Sequence, residues 1–152
     1  MATSYTKFVV IGDTKTGKTS FITKYLYNIF SDAYIKTPRT DVYCKGCQLR
    51  ITEFIPSRNG TIINWSYDGC DLVIIVYDVH NSESYDNIDN WRNEAKRFTN
   101  APIIVCGTHS DIAGGKFYRS EEVPTFIVSA KTGDNIGQIE KYLSGHIKVN
   151  KV

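Results

Sequence analysis

The feature that most constrains this chain is the stretch GDTKTGKT at residues 12–19, which directly follows the apolar run Phe8–Ile11. It matches the phosphate-loop pattern G-x-x-x-x-G-K-[ST] in full, and it lies between a predicted strand and a predicted helix, as that pattern requires. Glycines let the backbone turn its N–H groups inward around phosphate oxygens, and the following helix presents further unpaired N–H donors at its N-terminus. The sequence therefore predicts a phosphate site at the end of the first strand.

Two side chains at the end of this loop suit a nucleotide that carries Mg²⁺. Lys18 supplies a mobile positive charge for the β- and γ-phosphates, and Thr19 supplies a hydroxyl that can ligate the metal ion. The predicted phosphate-binding residues are Gly12, Thr14, Lys15, Thr16, Gly17, Lys18 and Thr19.

Apolar runs alternate with segments of helical periodicity along the rest of the chain. The predicted strands are Lys7–Ile11, Leu49–Phe54, Leu72–Val79, Ile103–Cys106 and Thr125–Val128, and the predicted helices are Thr19–Tyr27, Ser82–Phe98 and Asn135–Ile147. Strands that are apolar on both faces indicate a parallel sheet covered by helices on both sides.

Residues 41–51 differ from this alternation. Asp41–Cys44 and Cys47–Ile51 flank the pair Lys45-Gly46, which predicts a β-hairpin with a two-residue turn. We therefore predict an α/β fold: a doubly wound, mostly parallel sheet with one antiparallel edge strand, in a single domain spanning residues 1–152.

Composition and charge argue against several functional classes. The 18 basic and 16 acidic residues leave a net charge of +2, which is too balanced to indicate nucleic acid as a partner. The N-terminus has no apolar signal core and the chain has no long apolar run, so we expect a cytoplasmic protein whose four cysteines are reduced. We interpret Cys44 and Cys47 as part of the hairpin rather than as a metal or redox pair. Ala2 and the cysteine-free C-terminus lead us to expect no lipid anchor.

From the phosphate loop onward, the chain resembles the Ras superfamily of small GTPases, and its Rab-like branch in particular. The loop begins with the Gly-Asp pair of that branch, and Tyr34–Thr37 resembles its switch I segment. LVIIVYDV at residues 72–79, followed by SESY, resembles the fourth strand and the opening of the next helix. Ser129-Ala130-Lys131 matches the family's SAK motif. The resemblance implies that the ligands are GTP or GDP with Mg²⁺.

The same resemblance assigns roles to residues outside the phosphate loop. Thr37 falls where the family has its Mg²⁺- and γ-phosphate-sensing threonine, and Phe30 falls where an aromatic ring packs against guanine. The residues that it implies for holding the base are Phe30, Asp111, Ser129, Ala130 and Lys131. It also implies an effector or regulator protein that binds through switch I and switch II.

The segment after the third strand departs from the family's D-x-x-G-Q motif. Residues 51–60 read ITEFIPSRNG, and strand alternation places Glu53 at the aspartate position and Pro56 at the glycine position. Counting back without gaps from residues 67–69 places Thr52 and Ile55 there instead. We prefer Glu53, because a carboxylate keeps the metal-binding function, and this choice gives Thr19, Thr37 and Glu53 as metal ligands. The glutamine that orients the attacking water is missing in both registers.

These departures bear on catalysis. Proline has no N–H group, so Pro56 cannot donate a hydrogen bond to the γ-phosphate. Without the glutamine, hydrolysis relies on positioning and on charge neutralisation by Lys18 and Mg²⁺. The predicted catalytic residues are Lys18 and Thr37. We therefore expect a weak GTPase that acts as a switch or partner-binding module. One alternative is a pseudo-GTPase that binds nucleotide constitutively or not at all and sequesters a partner. The other is a phosphate-loop ATPase or kinase of another family.

The segment that reads the base is altered too. The family's N-K-x-D is Thr108-His109-Ser110-Asp111 here. Asp111 keeps the acceptor for the guanine N1–H and 2-amino groups, whereas His109 is expected to stack on the base in place of lysine. We expect Thr108 to be too short to join the loops as asparagine does. Residues 114–122 leave room for at most a stub of the family's next helix.

Overall fold

The computed structural model of this protein describes residues 6–28, 41–45, 49–53 and 67–147. In chain order these form β1 (Thr6–Ile11), α1 (Lys18–Tyr27), β2 (Asp41–Lys45), β3 (Leu49–Glu53), β4 (Leu72–Asp78), α2 (Ser82–Asp86), α3 (Ile88–Phe98), β5 (Ile103–Thr108), β6 (Thr125–Ile127) and α4 (Ile136–Ser144). Within the described ranges, no helix is both long enough and apolar enough to cross a bilayer.

The strands form a single sheet in the order β2-β3-β1-β4-β5-β6. β1 lies parallel to both β3 and β4, and the β4–β5 and β5–β6 pairs are parallel as well. β2 runs antiparallel to β3 at the edge of the sheet. Parallel strands place their carboxyl ends at one edge of a sheet, and in open α/β folds that edge is where ligands bind.

Alternate residues of the central strands pack against helices on opposite faces of the sheet. Phe8, Val10 and Ile74 share one buried cluster with residues of α1 and α4. Val9 and Ile75 share the other cluster with residues of α3. Helices therefore cover both faces of the sheet, which confirms the predicted doubly wound α/β fold. Strands buried on both faces need apolar side chains at every position, as the sequence pattern indicated.

The hairpin and one helix differ from their predictions. Lys45 pairs with Leu49, so three residues connect β2 to β3, and the predicted two-residue turn is wrong. The predicted helix over Ser82–Phe98 is divided into α2 and α3 at Asn87. Helical hydrogen bonds continue across the break, from Asn87 N to the Glu83 carbonyl and from the Trp91 N to the Asn87 carbonyl. The two helices therefore keep the predicted periodicity.

Residues 109–124, between β5 and β6, contain no helix, in agreement with the predicted shortening. The fully buried Tyr77 holds this segment: its hydroxyl donates to the Lys116 carbonyl at 2.9 Å and accepts from Tyr118 N at 2.8 Å. Burial raises the pKa of Tyr77 to about 12, so this hydroxyl stays protonated at physiological pH. Arg92 of α3 adds hydrogen bonds to the Tyr118 hydroxyl at 2.7 Å and to Glu122 at 3.1 Å.

Gly107 of β5 lies directly against the Tyr77 ring, so any side chain at position 107 would collide with that ring. A Cβ on Gly107 would lie 2.9 Å from Cε1 of Tyr77 and 2.8 Å from Cδ1 of Ile127. We expect Gly107→Ala to lower the free energy of unfolding, measured by urea denaturation, by about 1–3 kcal/mol. Gly137→Ala is the matched control, because a Cβ there has no neighbour within 4 Å and Gly137 lies in α4. The free energy of unfolding of this control should rise by about 0.5 kcal/mol, because alanine is favoured over glycine in a helix. Equal effects of the two changes would contradict the packing argument.

Candidate functional site

The phosphate-loop segment, residues 12–19, connects β1 to α1 at the carboxyl edge of the sheet. Gly12 and Gly17 have φ values of 148° and 92°, and Lys15 has a φ of 65°, so the backbone repeatedly enters conformations that favour glycine. A Cβ on Gly12 would lie 2.2 Å from the carbonyl oxygen of Val76 in β4, so only glycine fits there. The loop therefore lies directly on the neighbouring strand and ends at the N-terminus of α1, an arrangement suited to binding an anion.

Lys18 lies inside this loop rather than in solvent. Its side chain is buried, and Nζ donates to the carbonyl oxygens of Gly12, at 2.9 Å, and Asp13. The buried Thr16 hydroxyl also donates to the Asp13 carbonyl, at 2.9 Å. The loop thus holds a positive charge close to its own backbone. The remaining predicted phosphate residues, Thr14, Lys15 and Thr19, lie in the same loop and in the first turn of α1.

The carboxylate of Asp13 joins the loop to the α2–α3 junction. Oδ2 accepts from Nδ2 of Asn87 at 2.7 Å, and Oδ1 accepts from Nε1 of Trp91 at 2.9 Å. These two donors satisfy a carboxylate that would otherwise stand unpaired beside an anion site. Trp91 lies within the predicted helix Ser82–Phe98, and the sequence analysis gave it no role at the site. The signal in the sequence was the tryptophan itself, because a buried indole N–H usually has a hydrogen-bond partner.

Thr108 reaches the phosphate loop, so the prediction that it is too short to join the loops is wrong. It is buried at the end of β5, and Oγ1 lies within hydrogen-bond distance of the carbonyl oxygens of Thr16, at 2.5 Å, and Tyr77, at 3.1 Å. The physical reason is the close approach of the loop. A Cβ on Gly17 would lie only 3.3 Å from this hydroxyl, so the glycine lets a short side chain span the gap.

His109 follows in the left-handed region, with a φ of 65°. Its Nδ1 lies 3.1 Å from Oδ1 of Asp78, at the end of β4. The same Nδ1 also lies 3.3 Å from Oγ1 of Thr108. About 42% of the His109 side chain is exposed. Its stacking on a base stays a prediction.

Asp111 and Ser129 lie together although they are far apart in sequence. The hydroxyl of Ser129, which is buried just beyond β6, donates to Oδ1 of Asp111 at 2.9 Å. The same hydroxyl oxygen accepts from Thr132 N at 3.1 Å. Ala130 and Lys131 form the turn that follows, and Lys131 is exposed. The structure thus brings the two predicted base-binding segments into one site.

Some predicted site residues lie outside the described part of the chain. These are Phe30, Thr37, the hairpin residue Cys47 and the altered segment from Phe54 to Gly60, which contains Pro56. Glu53 ends β3, and the register pairs its backbone with Val10 of β1. The assignment of Thr19, Thr37 and Glu53 as metal ligands stays a prediction.

Comparisons with known proteins agree with this arrangement. A family model described as the Ras family matches residues 7–148. Ras-related protein RABG3d of Arabidopsis thaliana is 30% identical in an alignment that covers 86% of this chain and 76% of the relative. Ras-related protein Rab7 of Pisum sativum has the same identity and coverage. GTP-binding protein YPTM2 of Zea mays is 29% identical in an alignment that covers 93% of this chain and 79% of the relative.

The buried hydroxyl of Thr108 predicts a measurable difference between two small substitutions. Thr108→Val keeps the shape of the side chain but leaves the carbonyl of Thr16 without its donor, and we expect the free energy of unfolding to fall by about 1–3 kcal/mol. Thr108→Ser keeps the hydroxyl and should cost less. Urea denaturation of both variants measures the difference. If Val and Ser cost the same, the hydrogen bond does not join the two loops.

Proposed function

This chain belongs to the Ras family, on its Rab-like branch, and from that premise we propose that it is a guanine-nucleotide-binding switch protein with slow GTP hydrolysis. The observation that carries the proposal is the hydrogen-bonded connection from the loop around Lys18, through Thr108, to the segment that contains Asp111. This connection joins the phosphate loop to the carboxylate that we propose to read the base, at one edge of the sheet.

The phosphate loop, residues 12–19, fits the phosphates of a nucleotide. Its backbone turns at two glycines, it leads into a helix N-terminus, and it holds the ammonium group of Lys18. We propose that Thr19 holds Mg²⁺ together with Thr37 and Glu53. A bound Mg²⁺ neutralises charge on the phosphate oxygens. Lys18 contributes a further positive charge to the same groups, and Thr37 is proposed to position the γ-phosphate.

The base site fits guanine. Both oxygens of the Asp111 carboxylate can accept from the N1–H and 2-amino groups, because each oxygen has two lone pairs and Ser129 uses only one of them. Adenine presents no such pair of donors, so this carboxylate favours guanine. We propose that the backbone N–H of Ala130 donates to the guanine O6, and that Lys131 and Phe30 contact the base.

The proposed slow hydrolysis rests on the residues after β3. The stretch TEFIPS at residues 52–57 lacks a glutamine that could orient water, and Pro56 lacks the N–H that would sense the γ-phosphate. The same stretch favours the second candidate function, a pseudo-GTPase that binds one nucleotide constitutively and sequesters a partner. In either case we propose that the partner, an effector or regulator protein, binds near Thr37 and the altered stretch.

Identification of the bound nucleotide tests the proposal. The purified protein is denatured, the released nucleotide is separated by ion-exchange chromatography, and added GTP is followed over hours in a native sample. Bound GDP with slow turnover supports a switch. Absence of any guanine nucleotide, even with excess GTP and Mg²⁺, would contradict guanine binding altogether.

Limited proteolysis separates the two candidate functions. Trypsin can cleave after Arg58, the residue that directly follows the altered stretch, so digestion is compared between GDP and a non-hydrolysable GTP analogue. A switch should change its cleavage rate there when the γ-phosphate is present. A pseudo-GTPase should show the same rate with both nucleotides.

Removal of the base-reading carboxylate provides the mutational prediction. We expect Asp111→Ala to weaken GDP binding by about 10–100-fold, because a hydrogen bond to a charged group contributes about 1.5–3 kcal/mol. ADP binding should stay unchanged, so the preference for guanine should fall. Titration calorimetry with both nucleotides measures this. Asp86→Ala, at an exposed residue in α2, is the control and should bind as the wild type does. An unchanged preference in Asp111→Ala would place base recognition elsewhere.

A further inference from the structure

Two histidines contact one carboxylate oxygen of Asp78. Oδ1 of Asp78 accepts from His80 N at 2.9 Å, and the same oxygen lies 3.1 Å from Nδ1 of His109. Asp78 therefore fixes the turn after β4 and the first residue after β5 at the same time. Its side chain is about 20% exposed, so water screens these contacts only in part.

The His80 ring extends the connection past Asp111. Its Nε2 lies 3.0 Å from the carbonyl oxygen of Ile112, and because a carbonyl only accepts, Nε2 must carry the proton. The segment is thus held two residues before Asp111, through His109, and one residue after it, through Ile112. We call Asp78, His80 and His109 the clasp.

Two backbone hydrogen bonds also hold the segment around Asp111, from Ser110 N to the Val128 carbonyl and from Ile112 N to the His109 carbonyl, both at 3.2 Å. Residues 109–124 contain no helix, and both Asp111 and Ile112 are exposed. His109 also adopts a left-handed conformation, which costs an L-residue roughly 1 kcal/mol and needs a compensating interaction. The contact with Asp78 supplies it. On the far side, the Ser129 hydroxyl contacts the Asp111 carboxylate itself, so the clasp acts on the backbone and Ser129 on the side chain.

We propose that the clasp positions the Asp111 carboxylate for guanine, with Asp78 and His80 as positioning residues for base selectivity. The inference rests on the guanine binding proposed above. Asp78 and His80 act through the backbone of residues 109–112 and do not themselves contact the base.

The test measures dissociation rates of GDP and IDP from the full chain. IDP keeps the O6 and N1–H groups of the base but lacks the 2-amino group, so the ratio of the two rates reports how well Asp111 is placed. We expect Asp78→Ala to speed GDP release about tenfold and IDP release much less, which lowers the preference for GDP. Asp78→Asn keeps an oxygen acceptor for both contacts and should restore most of the preference. A purely structural role would change both rates in parallel.

Two further sets of variants protect the test against misfolding and non-specific effects. His80 is exposed, so His80→Ala should fold, and it should lower the preference for GDP, whereas His80→Gln keeps a donor and should retain it. Asp71→Ala is the matched control, because this carboxylate accepts from Lys7 N at 2.9 Å, at the other end of β4. The control should leave the ratio of the rates unchanged.

The outcomes separate the two proposals. If the wild type prefers GDP to IDP but Asp78→Ala and His80→Ala keep that preference, the clasp is overturned and guanine binding stands. If the folded wild type binds neither nucleotide or does not distinguish them, the proposed recognition of guanine by Asp111 is contradicted. The proposal for the clasp, which rests on it, is then contradicted too.

Discussion

The close approach of Gly12 to β4 is the constraint on which the rest of the site depends. With a hypothetical Cβ only 2.2 Å from the Val76 carbonyl, the phosphate loop has no alternative residue at its first position. The loop then passes close enough to β5 for the Thr108 hydroxyl to reach the Thr16 carbonyl, in the space that Gly17 leaves open. Two glycines thus set the distance between the phosphate loop and the segment that we propose to read the base.

The charges of the loop are satisfied by partners from different parts of the fold. Lys18 donates to carbonyl oxygens within the loop, whereas the carboxylate of Asp13 accepts from Asn87 and Trp91 at the α2–α3 junction. An ionised group away from water is costly unless it is paired, so each contact limits where the loop can lie. The loop is therefore attached to both the sheet and α3. A change at that junction would reach the phosphate site through Asp13.

The connection between β5 and β6, residues 109–124, contains no helix and is held in part by side chains from other elements. The hydroxyl of Tyr77 binds the backbone at both Lys116 and Tyr118, and Gly107 leaves space for the Tyr77 ring. Arg92 adds a charged contact from α3 to the same segment. Buried backbone groups need hydrogen-bond partners, and here the Tyr77 hydroxyl supplies two of them in place of helical bonds. Arg92 contacts only side chains of the segment. These contacts hold the shortened segment against β4 and α3.

The sequence by itself determined the fold class, the phosphate loop and the family resemblance, because these depend on local order: an apolar strand, a glycine pattern and a following helix. It also placed Asp111 and Ser129 in one site through motif order. Only the tertiary structure showed that Thr108 joins the loops, that Asp13 binds Trp91, and that Asp78 contacts His109. The partners in these contacts are 31 residues or more apart in the chain, and the distances between them follow from how the strands pair and how closely the glycine backbone packs. Periodicity and motif spacing carry no information about such distances.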